Sequence, residues 1–213
     1  MRPALLESLP YPELMERRLR CFTMVDAIVN PEFRAFEWHP KWGRGQRMGA
    51  FKDGSGNFFF AWFCKAGAVI RGFDHESVMS PFQSDPPVEW PALFEGLPSA
   101  LAYAKSEPAF ALEEITFACW AKGAEGDWAS SKSVKFPRRS ADADGSKELL
   151  KCFQPNFARW AAEYYGDAVH AKSLKAIWDD EPITRAMLDA MNPEHELAMV
   201  KEEAKLCGFR LVK

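Results

Sequence analysis

The stretch that most constrains this chain is Gln46–Phe73, where three apolar or alternating runs are separated by two short breaks rich in small residues. The runs are Gln46–Lys52, Asn57–Cys64 and Ala68–Phe73, and the breaks are Asp53-Gly54-Ser55-Gly56 and Lys65-Ala66-Gly67. Each run has the length of a strand, and each break carries glycine where a tight connection needs a positive φ. The three runs therefore read as an antiparallel meander. Its middle run, Phe58-Phe59-Phe60-Ala61-Trp62-Phe63, is apolar on both of the faces a strand presents, so it is expected to be central and covered on both sides.

The flanking sequence supplies the candidates for that cover. Pro12–Val29 places Leu14, Met15, Leu19, Phe22, Val25, Ile28 and Val29 mostly three or four residues apart, an amphipathic helix pattern stopped by Asn30-Pro31. Glu37–Gly45, rich in Trp, Pro and Gly, reads as a loop. Pro81, Pro86, Pro87, Pro91 and Pro98 mark an irregular crossing segment, and a short helix over Ser99–Lys105, capped by Ser99, follows it. Alternation over Glu114–Ala121 predicts a fourth strand, and Lys132–Phe136 a short fifth ended by Pro137. Beyond about residue 140 the pattern turns helical: Lys147–Phe153, Asn156–Tyr165, Ala168–Trp178, Ile183–Met191 and Glu194–Leu206, with Gly166 and Gly208 as stops. The expected fold class is α+β, an antiparallel sheet built around a central meander and covered by N-terminal and C-terminal helices. Residues 1–213 are expected to form one domain, with residues 141–213 a helical cap or subdomain.

Composition narrows the function classes. The chain has 213 residues, 47% hydrophobic and 27% charged, the balance of a globular domain and not of a disordered one. At that length a domain buries roughly 70% of the surface its unfolded chain exposes, without disulfide or metal staples. Twenty-seven basic residues stand against 30 acidic ones, a net charge of −3, which argues against a dedicated nucleic-acid binder. The five cysteines show no C-x-x-C and read as reduced core thiols. The N-terminal residues lack a basic start followed by an apolar run, and the longest strongly apolar stretch, Phe58–Cys64, is far shorter than the roughly 20 residues that span a membrane. The expected location is the cytoplasm, with no membrane partner, no cofactor and no metal.

Two clusters carry candidate chemistry. Gly72-Phe73-Asp74-His75-Glu76-Ser77 ends the third run, and if the strand continues, Asp74 and Glu76 share one face while His75 takes the other. Paired carboxylates can work as acid and base or hold a divalent ion, and an adjacent imidazole can act as a base. Neither H-x-E with P-C-x-x-C nor H-E-x-x-H is present. The structural alternative has Asp74 capping a turn, Glu76 paired with a nearby Arg, and His75 in a hydrogen-bonded niche. The second cluster, Trp38-His39-Pro40-Lys41-Trp42-Gly43-Arg44-Gly45-Gln46-Arg47, has the composition of a stacking platform for bases or sugars, of a protein-contact anchor, or of aromatics packed over a sheet edge. Asp53–Asn57 leads into a strand, so it reads as a hairpin turn and not a phosphate cradle. Asp142-Ala143-Asp144-Gly145 lacks the remaining ligands of a calcium loop and reads as helix capping. Lys132, Lys135, Arg138 and Arg139 read as a solvated basic face.

The run Lys52-Asp53-Gly54-Ser55-Gly56-Asn57-Phe58-Phe59-Phe60, continued through Gly67-Ala68-Val69-Ile70 to Phe73-Asp74-His75-Glu76, resembles the central hairpin of the SUKH superfamily of bacterial immunity and regulatory proteins. The resemblance covers about 25 residues. Upstream, the Leu-Pro and Asn-Gly-Gly signals of that superfamily are not evident, and the helical third is longer than its pattern. Gly72–Ser77 and Asn192–Leu197 also resemble the G-F-D-H-E-S and N-P-E-x-E-L landmarks of an uncharacterised bacterial family. The SUKH resemblance implies an α+β domain that acts by binding a partner, often a toxin from the same gene neighbourhood, with no chemistry of its own. The expected function is a non-enzymatic protein-binding domain of the immunity type, with Trp38, Trp42, Arg44, Arg71, Asp74, His75 and Glu76 as its contact surface. The alternative is a small hydrolase or metal-dependent enzyme centred on Asp74, His75 and Glu76. A third reading, carbohydrate or single-strand nucleic-acid binding through Trp38 and Trp42, requires both rings to be exposed.

Overall fold

A computed structural model describes residues 1–110, 113–136, 142–154, 157–166 and 170–212. Two helices, α1 (Pro3–Ser8) and α2 (Pro12–Val29), precede strands β1 (Phe36–Gly43), β2 (Gln46–Lys52), β3 (Phe58–Cys64) and β4 (Gly67–Phe73). After the proline-rich crossing come β5 (Phe117–Lys122) and β6 (Trp128–Ala129). Each strand pairs antiparallel with the next, in the order β1-β2-β3-β4-β5-β6. The three meander strands lie where the glycine breaks put them, and β3 runs through the interior of the sheet. The protein is an α+β fold with helices from both ends of the chain on its sheet.

The expected loop Glu37–Gly45 is instead part of β1. Phe36 and Trp38 alternate inward and pair with Phe51 and Gly49 of β2, which outweighs the turn-forming composition around them. The register shifts between His39 and Gly43, and this irregularity accommodates Pro40 in an edge strand. It also turns Trp42 to the face opposite Trp38: Trp38 joins the cluster containing Phe59 and Ile70, whereas Trp42 packs against the one containing Met48 and Trp62. The fourth expected strand starts at Phe117, not Glu114. Lys132–Phe136 forms no strand, because the hairpin from β5 closes sooner and pairs Trp128 and Ala129 with Ala121 and Trp120. The Trp128 indole then donates to the Pro10 carbonyl at 2.7 Å, tying the approach to α2 onto the sheet.

One face of the sheet is covered by α2 and, beyond it, by α3 (Ser146–Leu149), α4 (Phe157–Tyr165), α5 (Ala171–Trp178), α6 (Arg185–Met191) and α7 (Leu197–Cys207). The sequence pattern predicts an amphipathic α2, yet every residue from Cys21 to Ile28 is buried, because the helix is packed between the sheet and the C-terminal helices. Gly49 lets it approach: a Cβ at that position would stand 2.7 Å from Leu19 Cδ1. Sheet residues Phe59 and Ile70 share one apolar cluster with Phe22 of α2, Ile177 of α5 and Val200 of α7, so the helical third packs into the same core as the strands. The helix expected over Ile183–Met191 opens as β7 (Ile183–Thr184), paired in parallel with β8 (Leu211–Val212), and Thr184 Oγ1 then caps α6 by accepting from the Met187 amide at 3.2 Å. The expected Pro137 stop, the Asn156 and Ala168 helix starts, and Arg138 and Arg139 lie outside the described residues.

The helical third does not cover the second face. Proline-initiated 3-10 turns do so, at Pro91–Phe94, Ser99–Lys105 and Pro108–Phe110, placing Leu101, Ala104 and Phe110 against Met48, Trp62, Val69 and Trp120. The helix expected over Ser99–Lys105 is thus a 3-10 segment, and its N-cap is Pro98, not Ser99. Among the described residues no helix is long and apolar enough to cross a membrane.

At the heart of the first face sits one carboxylate. Asp26 Oδ2 accepts from the Ala35 and Phe36 amides at 2.8 and 2.7 Å, and Oδ1 accepts from the Tyr165 hydroxyl at 2.6 Å. It fastens the end of α2 to the start of β1 and to α4. Burial pushes its carboxyl up to about 6 although all three donors act to lower it, so desolvation outweighs the hydrogen bonds.

Candidate functional site

The seven residues chosen from the sequence do not come together. Trp38 is buried at 5% exposure, its ring 6.0 Å from that of Phe63, so it offers no surface to a partner. Arg71 is fully buried at 0%, because the alternation of β4 sends it into the second face with Val69 and Phe73. Its guanidinium lies 4.6 and 5.2 Å from the ring centroids of Phe58 and Phe60, and Nη1 donates to the Glu114 carbonyl at 2.6 Å. Desolvation pulls the group down to about 9, with the carboxylates of Glu114 and Glu113 opposing the shift. These two residues leave the contact surface read from the sequence. Trp42 is half-buried and donates from Nε1 to Glu107 Oε2 at 3.0 Å. With Trp38 inside and Trp42 on the other face, the two rings form no stacking platform.

Arg44 is exposed in the β1–β2 turn, at the end of the sheet that also carries the β3–β4 turn. Asp74, His75 and Glu76 follow β4 at the opposite end. A strand of seven residues separates the two ends by roughly 20 Å.

The end bearing Asp74 is built from three connected pieces. At the β2–β3 hairpin tip, Asp53 Oδ1 accepts from the Ser55 and Asn57 amides at 2.7 and 3.0 Å, and Oδ2 accepts from Asn57 Nδ2 at 2.7 Å. This fixes the Asn57 side chain with Oδ1 outward, where it accepts from the His75 backbone amide at 3.0 Å and faces His75 Nδ1 at 2.8 Å. An amide oxygen only accepts, so Nδ1 carries the proton and Nε2 is left to solvent, 3.9 Å from Glu76 Oε1.

Asp74 faces the other way. Its Oδ1 accepts from the Glu76 amide at 3.0 Å, closing the turn, and its own amide donates to Thr116 Oγ1 at 3.2 Å. Ser77 Oγ donates to the Ala143 carbonyl at 2.6 Å and accepts from the Met79 amide at 3.0 Å, while Thr116 Oγ1 donates to the Asp144 carbonyl at 2.8 Å. The turn is thereby docked on the segment 142–146. Gly145 makes the close approach possible: its φ is +72°, and a Cβ there would stand 2.2 Å from Asp74 Oδ2.

The three side chains diverge. Asp74 caps its turn, His75 leans on the hairpin, and the Glu76 side chain is 84% exposed with His75, not an arginine, as its neighbour. Among the described residues no group of three or more His, Cys, Asp or Glu side chains has the geometry to hold a metal ion.

Beside this turn lies a feature the sequence reading missed. Val78, Phe82 and Val88 are 48%, 56% and 47% exposed, on the proline-rich segment that leaves the turn. Gln83 Nε2 donates to the His75 carbonyl at 3.4 Å, the Val88 amide donates to the Pro81 carbonyl at 3.0 Å, and the Phe82 ring sits 5.9 Å from that of Phe73. The available signal was a set of apolar residues with neither helical nor strand period, which no face of a regular element would bury. The chain finds no match among protein-family profiles, curated proteins or solved structures.

Proposed function

We propose that this protein is a cytoplasmic, non-enzymatic binding domain that holds a protein partner against the sheet end formed by the tip Asp53–Asn57, the turn 74–77 and the segment 78–88. One observation carries the reading: a hydrogen-bonded polar turn presenting His75 and Glu76 lies beside the exposed apolar side chains of Val78, Phe82 and Val88. Apolar anchors next to oriented polar groups are the make-up of a protein contact, and the fixed turn lowers the ordering cost of binding. The resemblance of the hairpin to the SUKH superfamily supports a toxin as the partner and immunity as the role. The test is co-purification with the products of adjacent genes. Phe82→Glu should reduce capture by tenfold or more while leaving the melting temperature unchanged. Undiminished capture by that variant overturns the surface, and binding to no neighbouring product overturns the immunity role.

The hydrolase or metal-dependent alternative loses its support, because Asp74 caps its own turn, His75 leans on Asn57 and Glu76 points to solvent, so the three groups do not converge on one point.

A further inference from the structure

The helical third holds a groove between α6, α7 and β8, of about 490 Å³, that shares no residue with the surface around His75. Its apolar side chains include Ile183 and Leu188, which are buried, and Leu197 and Val212, which are 36% and 46% exposed. Among the described residues, the charged ones lining it are two cations, Arg185 and Lys201. Arg185 meets Asp189 through Nε at 2.9 Å, and its two Nη groups have no acceptor among the described residues. Lys201 makes no ion pair among the described residues.

A lining that is apolar with two cations and no acid among the described residues complements a ligand that is apolar along its length and anionic at one end. The volume falls inside the roughly 300–1,000 Å³ range of small-molecule sites. A neutral apolar molecule would leave both cations unused, and a cationic amphiphile would be repelled by them.

We propose that this groove binds a medium-chain acyl carboxylate, with its carboxylate between Arg185 and Lys201 and its chain along Leu188 and Leu197. The charged head sets the orientation, and the apolar chain supplies the burial.

The test uses the full chain, labelled with ¹⁵N and titrated with sodium decanoate below its micelle concentration. The expected result is saturable amide shifts confined to α6, α7 and β7–β8. Decan-1-ol, with the same chain and no charge, should bind at least about tenfold more weakly. Lys201→Glu, an exposed substitution, should weaken decanoate by a similar factor and leave decanol unchanged. The proposal is overturned by no saturable shift, by shifts centred elsewhere, by equal binding of decanol and decanoate by the unaltered chain, or by tighter binding of decyltrimethylammonium. If an acidic amphipathic peptide displaces decanoate and binds more tightly, the groove is a helix-docking site and the acyl assignment fails.

Discussion

The two faces of the sheet are covered by different means. On the first, α2 and the C-terminal helices close over Phe59, Ala61 and Ile70, and the buried carboxylate of Asp26 receives three hydrogen bonds. On the second, short 3-10 turns lie over Trp62, Val69 and Trp120, and the most deeply buried charged side chain described there is Arg71, held over two phenylalanine rings and against a carbonyl. The first face is built from long elements whose backbone groups satisfy one another. The second relies on side chains anchoring a segment with little repeating hydrogen bonding. The proposed partner surface continues from that less regular segment, on the loop between β4 and the first of these turns.

The comparison breaks most visibly at Asp26. Asp26→Ala leaves the Ala35 and Phe36 amides and the Tyr165 hydroxyl without their acceptor, and should cost roughly 3–5 kcal/mol in denaturant unfolding. Asp26→Asn should retain most of that stability, since its amide oxygen can accept both backbone N–H groups while its NH₂ donates to the Tyr165 oxygen. The two variants also separate the pH effect. The folded chain holds the Asp26 proton to about pH 6, whereas the unfolded chain releases it near 3.8. The folded state therefore binds more protons in that window, and stability falls as pH rises through it, by about 3 kcal/mol at most. The difference between the unaltered chain and Asp26→Asn, measured from pH 4 to 7, should show this decline.

Arg71 should behave in the opposite way. Arg71→Met keeps an apolar stem over Phe58 and Phe60 and removes a desolvated charge, so the expected change is within about 1 kcal/mol in either direction. Arg71→Ala opens a cavity and should cost roughly 2–4 kcal/mol. A large loss in Arg71→Met would show that the second face depends on its buried charge as the first does on Asp26.

The smallest effect is expected at the bulged edge. Trp42→Phe keeps the ring on the second face but deprives Glu107 of its indole donor, while the Ala109 amide still reaches Glu107 Oε1 at 3.1 Å. The expected loss is about 1 kcal/mol in thermal or denaturant unfolding.

The same division governs what the sequence reveals. α2, the meander and the stop at Gly208 were legible because helical period, strand length and glycine breaks are local signals. β1 was not, because Pro40 and two glycines imitate a loop, and the pairing that makes a strand of it comes from β2. The 3-10 cover was hidden because its apolar residues follow no period. At the candidate site, the capping of the turn by Asp74 and a hydrogen-bonded niche for His75 were among the readings open, whereas the arginine partner read for Glu76 is not found among the described residues. Their support from Asp53, Asn57 and Ala143 depends on contacts between distant segments that spacing does not encode. Arg71 and Trp38 misled for the same reason: a charged or aromatic residue near a turn reads as surface until strand register assigns it a face.

Native-state hydrogen exchange tests the contrast between the two faces most directly. Amides in the centres of α2 and β3 should exchange only through global unfolding, whereas those of Ser99–Lys105 and Phe110 should open at a free energy lower by about 2 kcal/mol or more. Equal opening free energies for the two sets would contradict the account, since both faces would then form one cooperative unit.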